Sequence, residues 1–396
     1  MTTISQLEAH GIPVSAMSAG VHETKTVVHS VDQLRSLLDL GLDQQRRQEH
    51  YQALFDGIQP ATNDDGSEAL SHRIAAYVVG NAELSEADRA AVAPAFPLTV
   101  HVATAPGPIT VNSMYDLSTP DGSMRVASFS SVTLEQGGYF VCESTPLSFT
   151  CDTLTRTGTS GTSASDFNIL GRAGAQPTTP QPPIAPGQAA SGAPGNCSSA
   201  GIAGDNGRNG NPGATGTQGT AGYHGNYGTP SMQATITISQ TLTGSLSVYQ
   251  RSGAGGPGGN GGPGGAGGQG GNGGGGATCD CTGSAGGSGG DGGMGGAGGT
   301  GGVGGDGVDA AANVVVRVPI QADVSKVSTR ADTAPYGPGG AGGPGGAGGA
   351  GGSGGGGGKG NAGGGNGGQG APGATGAQGG SGTVTGKAAQ ITVKPA

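Results

Sequence analysis

The sequence predicts a multi-domain chain. Its N-terminal part is α+β, with short helices and a small antiparallel β domain, and its C-terminal part is a sandwich of polyglycine-II helices with β segments between them. Three observations predict this. Apolar residues recur at helical spacing up to residue 95, and they alternate from Phe96 to Leu154. Glycine, 90 of 396 residues, is concentrated beyond Arg172, and there it returns at every third position.

The helices come first. "SVDQLRSLLDL" puts Val31, Leu34 and Leu38 on one stripe, with Ser30 as N-cap and Gln33 three residues on. After Gly41, "DQQRRQEHYQALFDGI" turns Tyr51, Leu54, Phe55 and Ile58 to one side. Two shorter helices are expected from Ser67 to Val79 and from Ser85 to Val92. "NDDGSE" (63–68) lacks the spaced ligands of an EF-hand and reads as a helix-entry turn capped by Ser67. Residues 1–95 thus read as a helical region.

From 96 to 170 the period becomes two, as in "PLTVHVAT", "MRVASFSSVTL" and "LSFTCDTL", with "EQGGY" (135–139) suited to a hairpin turn. A Pro-rich stretch, 171–199, reads as an extended linker. Beyond it, 204–228 carries one glycine in three, 254–276, 285–307 and 338–368 carry two, and 370–379 falls back to one. Segments 234–249, 313–327 and 382–394 have strand character, so the 200–396 region repeats about every 75–80 residues.

A polyproline-II-type helix has about three residues per turn, so in X-Gly-Gly two of its three faces lack a Cβ and can meet neighbouring backbones. With one glycine in three, only one face is bare. The one-glycine runs therefore belong at the edges of a bundle. This pattern resembles the polyglycine-II sandwich proteins, notably the receptor-binding adhesins of T-even-like phage tail fibres, and more loosely the snow flea antifreeze protein. The resemblance covers about residues 200–396, rests on period alone, and implies a rigid sandwich with contact loops at its tip.

Composition excludes several functions. The acidic first half, with 19 Asp/Glu against 8 Lys/Arg in residues 1–170, argues against nucleic acid and anionic membrane as partners. No apolar stretch is long enough to insert in a membrane, and the N-terminus lacks the pattern of a Sec signal peptide. Seven scattered histidines and the lack of a nucleophile, Walker or dinucleotide motif point to no catalytic residue, no cofactor and no enzyme.

Some residues carry specific expectations. "GGVGGDGVD" (301–309) is an isolated match to a calcium β-roll nonapeptide, with Asp306 and Asp309 as the candidate ligands. Cys142 and Cys151 suit either a cross-strand disulfide or a pair of buried thiols. "CDC" (279–281) can hold a metal or pair with Cys197. Cys279, Asp280, Cys281, Lys359 and Asn361 fall in the turns expected at the tip.

The functional expectation is a non-enzymatic structural protein that self-assembles into an extracellular surface or fibre, with other copies of itself as partner. The alternative is a receptor-binding adhesin of a virion or cell appendage, with a cell-surface receptor as partner. Ice binding needs a flat Thr-bearing face and finds X positions that are mostly Ala, Pro, Asn and Ser.

Overall fold

The computed structural model describes residues 7–39, 41–58, 69–160, 165–197, 204–280 and 282–396. Two sheets organise it. The larger holds β1 (His22–Val28), β2 (Leu98–Ala105), β3 (Ile109–Val111), β5 (Arg125–Leu134), β7 (Leu147–Arg156), β9 (Ala234–Thr243), β13 (Val314–Val318) and β15 (Ile391–Pro395). Its order is β1-β2-β5-β7-β9-β13-β15, with β3 beside β5. The smaller sheet, in the order β14-β10-β8-β6-β4, holds β4 (Met114–Asp116), β6 (Tyr139–Glu143), β8 (Phe167–Leu170), β10 (Leu246–Arg251) and β14 (Val327–Asp332). A separate short ribbon pairs β11 (Thr278–Cys279) with β12 (Thr282–Gly283).

From β4 to β10, and again from β13 to β15, consecutive strands alternate between the two sheets, and within each sheet their pairing is parallel. Each pair of strands is therefore one coil of a two-sheet stack. Its core lies between the sheets, where Phe140 and Phe167 pack against Phe149 with ring centroids 5.2 and 4.9 Å away. In β13 successive valines serve opposite faces: Val314 and Val316 join that core, and Val315 meets Ala53 and Leu54 outside it.

Helices cover this outer face. They are α1 (Val31–Leu37), α2 (Gln44–Phe55), α3 (Leu70–Val78) and α4 (Glu86–Val92). Ser30 caps α1 by accepting from the Gln33 amide at 3.2 Å, while the Gln33 side chain accepts from His29 N–H at 2.6 Å. Ser85 caps α4 at 3.1 Å. Val31, Leu37, Tyr77, Val78 and Val92 pack on Val100, Val102 and Val126. The expected turn at 63–68, with Ser67, lies outside the described residues.

The structure corrects the predicted fold class. The molecule is a mixed α/β sheet fold, and its C-terminal half is not a separate helix sandwich, because β9, β13 and β15 complete the sheet that β1 begins. The glycine runs contain no helix; they are extended segments inserted between strands of successive coils. The 96–170 region is not an antiparallel domain either. Its strands pair in parallel, because β5 and β6, expected as a hairpin about 135–139, cross from one sheet to the other. The helical region also contains a strand, β1, which pairs antiparallel with β2. A period of two reveals a strand but not its partner.

Six extended segments form a two-layer plate: 171–195, 204–229, 253–276, 284–308, 334–358 and 361–386. The first, third and fifth run outward from β8, β10 and β14, and the second, fourth and sixth return into β9, β13 and β15. Each layer thus continues one sheet, parallel within itself and antiparallel to the other. The segment expected as a linker is the plate's first run: Gly171 and Gly174 donate to Arg251 and Ala254 at 2.8 Å, and Gly192 donates to Asn272 at 2.7 Å. Between Pro177 and Pro186, where prolines lack the N–H, these bonds lapse.

Hydrogen bonds follow the three-residue period. In the third run Gly258, Gly261 and Gly264 donate to Pro338, Ala341 and Pro344 of the same layer, at 2.9 Å, while Gly259, Gly262 and Gly265 donate to Tyr223, Thr220 and Thr217 opposite, at 2.8 Å. Glycine is kept where another run lies alongside. A Cβ on Gly298 would sit 1.9 Å from the Gly343 carbonyl oxygen, and one on Gly258 would sit 2.1 Å from that of Gly302. On the open flanks the equivalent positions carry exposed side chains: Arg208, Asn211, Thr217 and Thr220 in the second run, and Asn366, Gln369, Thr375 and Gln378 in the sixth.

One buried polar cluster ties α2 to the larger sheet. His50 Nε2 meets Thr235 Oγ1 at 3.1 Å, and Arg317 Nε donates to His50 Nδ1 at 3.4 Å, so the proton sits on Nε2. Burial, then the Arg317, Lys394 and Arg47 charges, push the imidazole down to about 3.

Two outcomes follow. Gly298→Ala should destabilise the chain by about 1–3 kcal/mol, whereas Gly365→Ala and Gly380→Ala, with open space around the added methyl, should be neutral or slightly stabilising; thermal unfolding of the three variants checks this. His50, whose folded pKa lies below its unfolded value near 6.5, contributes stability present above that value and lost as pH falls toward 3. Urea midpoints should therefore drop between about pH 6.5 and 4, on the order of 2–3 kcal/mol, with a shallower drop in His50→Gln.

Candidate functional site

The plate has no apolar interior, so its surface chemistry is set by the X residues. Asn and Asp at those positions bind the neighbouring run of the same layer. Asn209 Oδ1 accepts from Ser288 N–H at 2.9 Å, Asn272 Oδ1 from Ser353 N–H at 3.0 Å, and Asp291 Oδ1 from Gly368 N–H at 2.7 Å. These amides face outward and find no backbone partner among the described residues. The separations, 77 to 81 positions, match one turn of the coil.

Asp306 and Asp309 belong to this set. Asp306 Oδ1 accepts from Thr383 and Val384 N–H at 2.7 and 2.9 Å, and Asp309 Oδ1 accepts from Lys387 N–H at 2.7 Å. The two amides hold the Asp306 carboxyl below its ordinary range, Val384 contributing most. Both candidate calcium ligands are therefore engaged, Asp306 in joining the fourth run to the sixth and Asp309 in joining the residues just beyond them. No group of three or more metal-binding side chains occurs among the described residues.

Three stretches of the chain meet at the distal end. Cys197, after the first run, forms a disulfide with Cys279 in β11. Asp280, at φ +50°, makes the turn between β11 and β12. Ser284 Oγ donates to Asp205 O at 2.6 Å and accepts from Ala277 N–H at 2.7 Å, which ties this turn to the second run. Thr278 Oγ1 accepts from Lys359 N–H at 3.1 Å, and Asn361 Nδ2 donates to Gly283 O at 2.6 Å. Four of the five expected tip residues are thus in one place: Asp280, Lys359 and Asn361 are exposed and Cys279 is buried. Cys281 lies outside the described residues.

Of the two alternatives for Cys142 and Cys151, the structure has the buried thiols and not the bridge. Cys142 lies on β6 and Cys151 on β7, strands of opposite sheets rather than arms of a hairpin. Burial pushes the Cys142 thiol up to about 12 and the Cys151 thiol higher still. Sequence reasoning also missed Ser284, whose small hydroxyl carries no signal, and the role of Asn and Asp at X positions. That role is readable only once runs one coil apart are known to be neighbours.

The chain matches no protein-family model, and no match to it was found among the curated proteins or the solved structures. Thiol titration tests the cysteine assignment. The native protein should leave Cys142 and Cys151 unreactive, and denaturant without reductant should release them while Cys197 and Cys279 stay protected. Replacing Cys279 by Ser should cost about 2–4 kcal/mol in a denaturant titration.

Proposed function

We propose that this chain is a non-enzymatic structural and binding protein that works outside the cell, on a cell surface or on a virion. Its glycine plate serves as a rigid projection, and the turns at the distal end meet a partner surface in the manner of a receptor-binding adhesin. The observation that carries this reading is the contrast between the plate's flanks and its end. Along the flanks, side chains occupy the positions where a further run would need glycine, which opposes lateral growth. At the end, Thr278, Asp280, Thr282, Lys359 and Asn361 stand exposed on turns held by hydrogen bonds and a disulfide. Such a bond also suits an oxidising compartment.

Self-assembly is the second reading, and it has its own observation. β14 and β15 are the outer strands of their sheets at the same end of the coil stack. Outer strands present a row of backbone groups to which another copy can add. Sedimentation and negative-stain imaging separate the two. Discrete particles that coat target cells, with coating reduced at least tenfold by Asp280→Ala/Lys359→Ala, are the expected result. Polymers unaffected by that double change but shortened by a proline in β15 would replace the adhesin reading with the assembly one.

A further inference from the structure

A cleft of 490 Å³ opens on the surface of the sheet body beside β1, β2 and the turn that follows β4, lined by residues none of which belongs to the plate. Glu23, Lys25, His101, Asp116 and Arg125 line it. Its volume falls in the range of small-molecule sites. Arg125, 3% exposed, is fixed on one side, where its Nε donates to Leu117 O and its Nη2 to Ser118 O, both at 3.1 Å. Its Nη1 is buried without a hydrogen bond, although Glu23 Oε2 stands 3.4 Å from it in an ion pair and accepts from Nη2 at 3.4 Å. His101, 7% exposed, has its Nε2 buried and likewise unpartnered, with Asp121 Oδ2 at 3.6 Å.

Buried polar groups in folded proteins are paired in the large majority of cases. Two buried nitrogens on one cavity that lack a hydrogen bond, each with only a half-exposed carboxylate at 3.4 or 3.6 Å, therefore suit a ligand that supplies better partners. The surrounding charges narrow its chemistry. An anion would face the carboxylates of Glu23, Asp116 and Asp121, and a cation would face Arg125 and Lys25. A hydroxyl group both donates and accepts, so a ligand with several of them suits a wall on which nitrogen donors and carboxylate acceptors alternate.

We propose that this cavity binds a neutral polyhydroxylated ligand, a sugar ring of a glycan. Arg125 Nη1 donates to one hydroxyl, His101 Nε2 pairs with a second, and the Glu23 and Asp116 carboxylates accept from others. Glu23, half-exposed, now pairs with Arg125, whose Nη2 donates to its Oε2 at 3.4 Å, and it turns aside to let a hydroxyl reach Nη1. The site is independent of the distal turns, so it stands or falls separately from the role proposed for them.

Saturation-transfer NMR on the full chain tests this with D-glucose, D-galactose, D-mannose and N-acetyl-D-glucosamine, and with acetate and methylammonium as charged competitors. At least one sugar should receive saturation, binding should fall at least tenfold in R125Q and H101Q, and neither ion should displace it. Near-UV circular dichroism reports whether each variant is folded; if R125Q is not, H101Q and E23Q decide. The proposal is overturned if no sugar binds the wild-type chain, if binding survives unchanged in the folded variants, or if acetate competes.

Discussion

Where two glycine runs touch there is no room for a Cβ, and the rest of the plate depends on that. A side chain added at Gly298 or Gly343 would meet a carbonyl oxygen at 1.9 or 2.1 Å, a separation that real Cβ atoms do not show. The close approach lets amides bond in two directions at 2.8–2.9 Å, one within a layer and one across it. Glycine loses more conformational freedom on ordering than any other residue, and only this dense bonding offsets the loss. Composition then follows from position: the third, fourth and fifth runs have neighbours on both bare faces and repeat X-Gly-Gly, while the second, and the sixth from Gly370 on, have an open flank and keep one glycine in three.

The sheets decide how the runs align. Each run leaves or enters a strand whose register is set by apolar packing, as where Phe167 pairs with Val248 and Val248 with Thr329. The plate inherits that register and maintains it with backbone bonds and with Asn and Asp stitches. Two kinds of interior thus share one topology. Between the sheets, Phe140, Phe149 and Phe167 fill the gap; between the layers, glycine backbones meet directly.

That difference explains where the covalent link lies. At the body end the runs are held by a packed core, in which Cys142 and Cys151 serve as small buried thiols. At the far end no hydrophobic cluster lies among the described residues, and the Cys197–Cys279 bond joins the segments there. It closes a loop of 82 residues, a span at which a cross-link removes much freedom from the unfolded chain.

Local patterns in the sequence determined the helices near Val31, Gln44, Leu70 and Glu86, the strands at Val100, Val126 and Leu147, and the places where glycine recurs. Caps, periodicity and the absence of a side chain act over a few residues, so they can be read without a structure. Which strand lies beside which was decided by tertiary structure, because alternation is the same in parallel and antiparallel pairs, and β5 and β6 differ only in the sheet they join. The same holds for Cys197 and Cys279, for Asp306 and the amides of Thr383 and Val384, and for His101 and Arg125 around one cavity. Each of these depends on chain segments brought together from many residues apart by the coiling of two sheets, a geometry that no local stretch of sequence encodes.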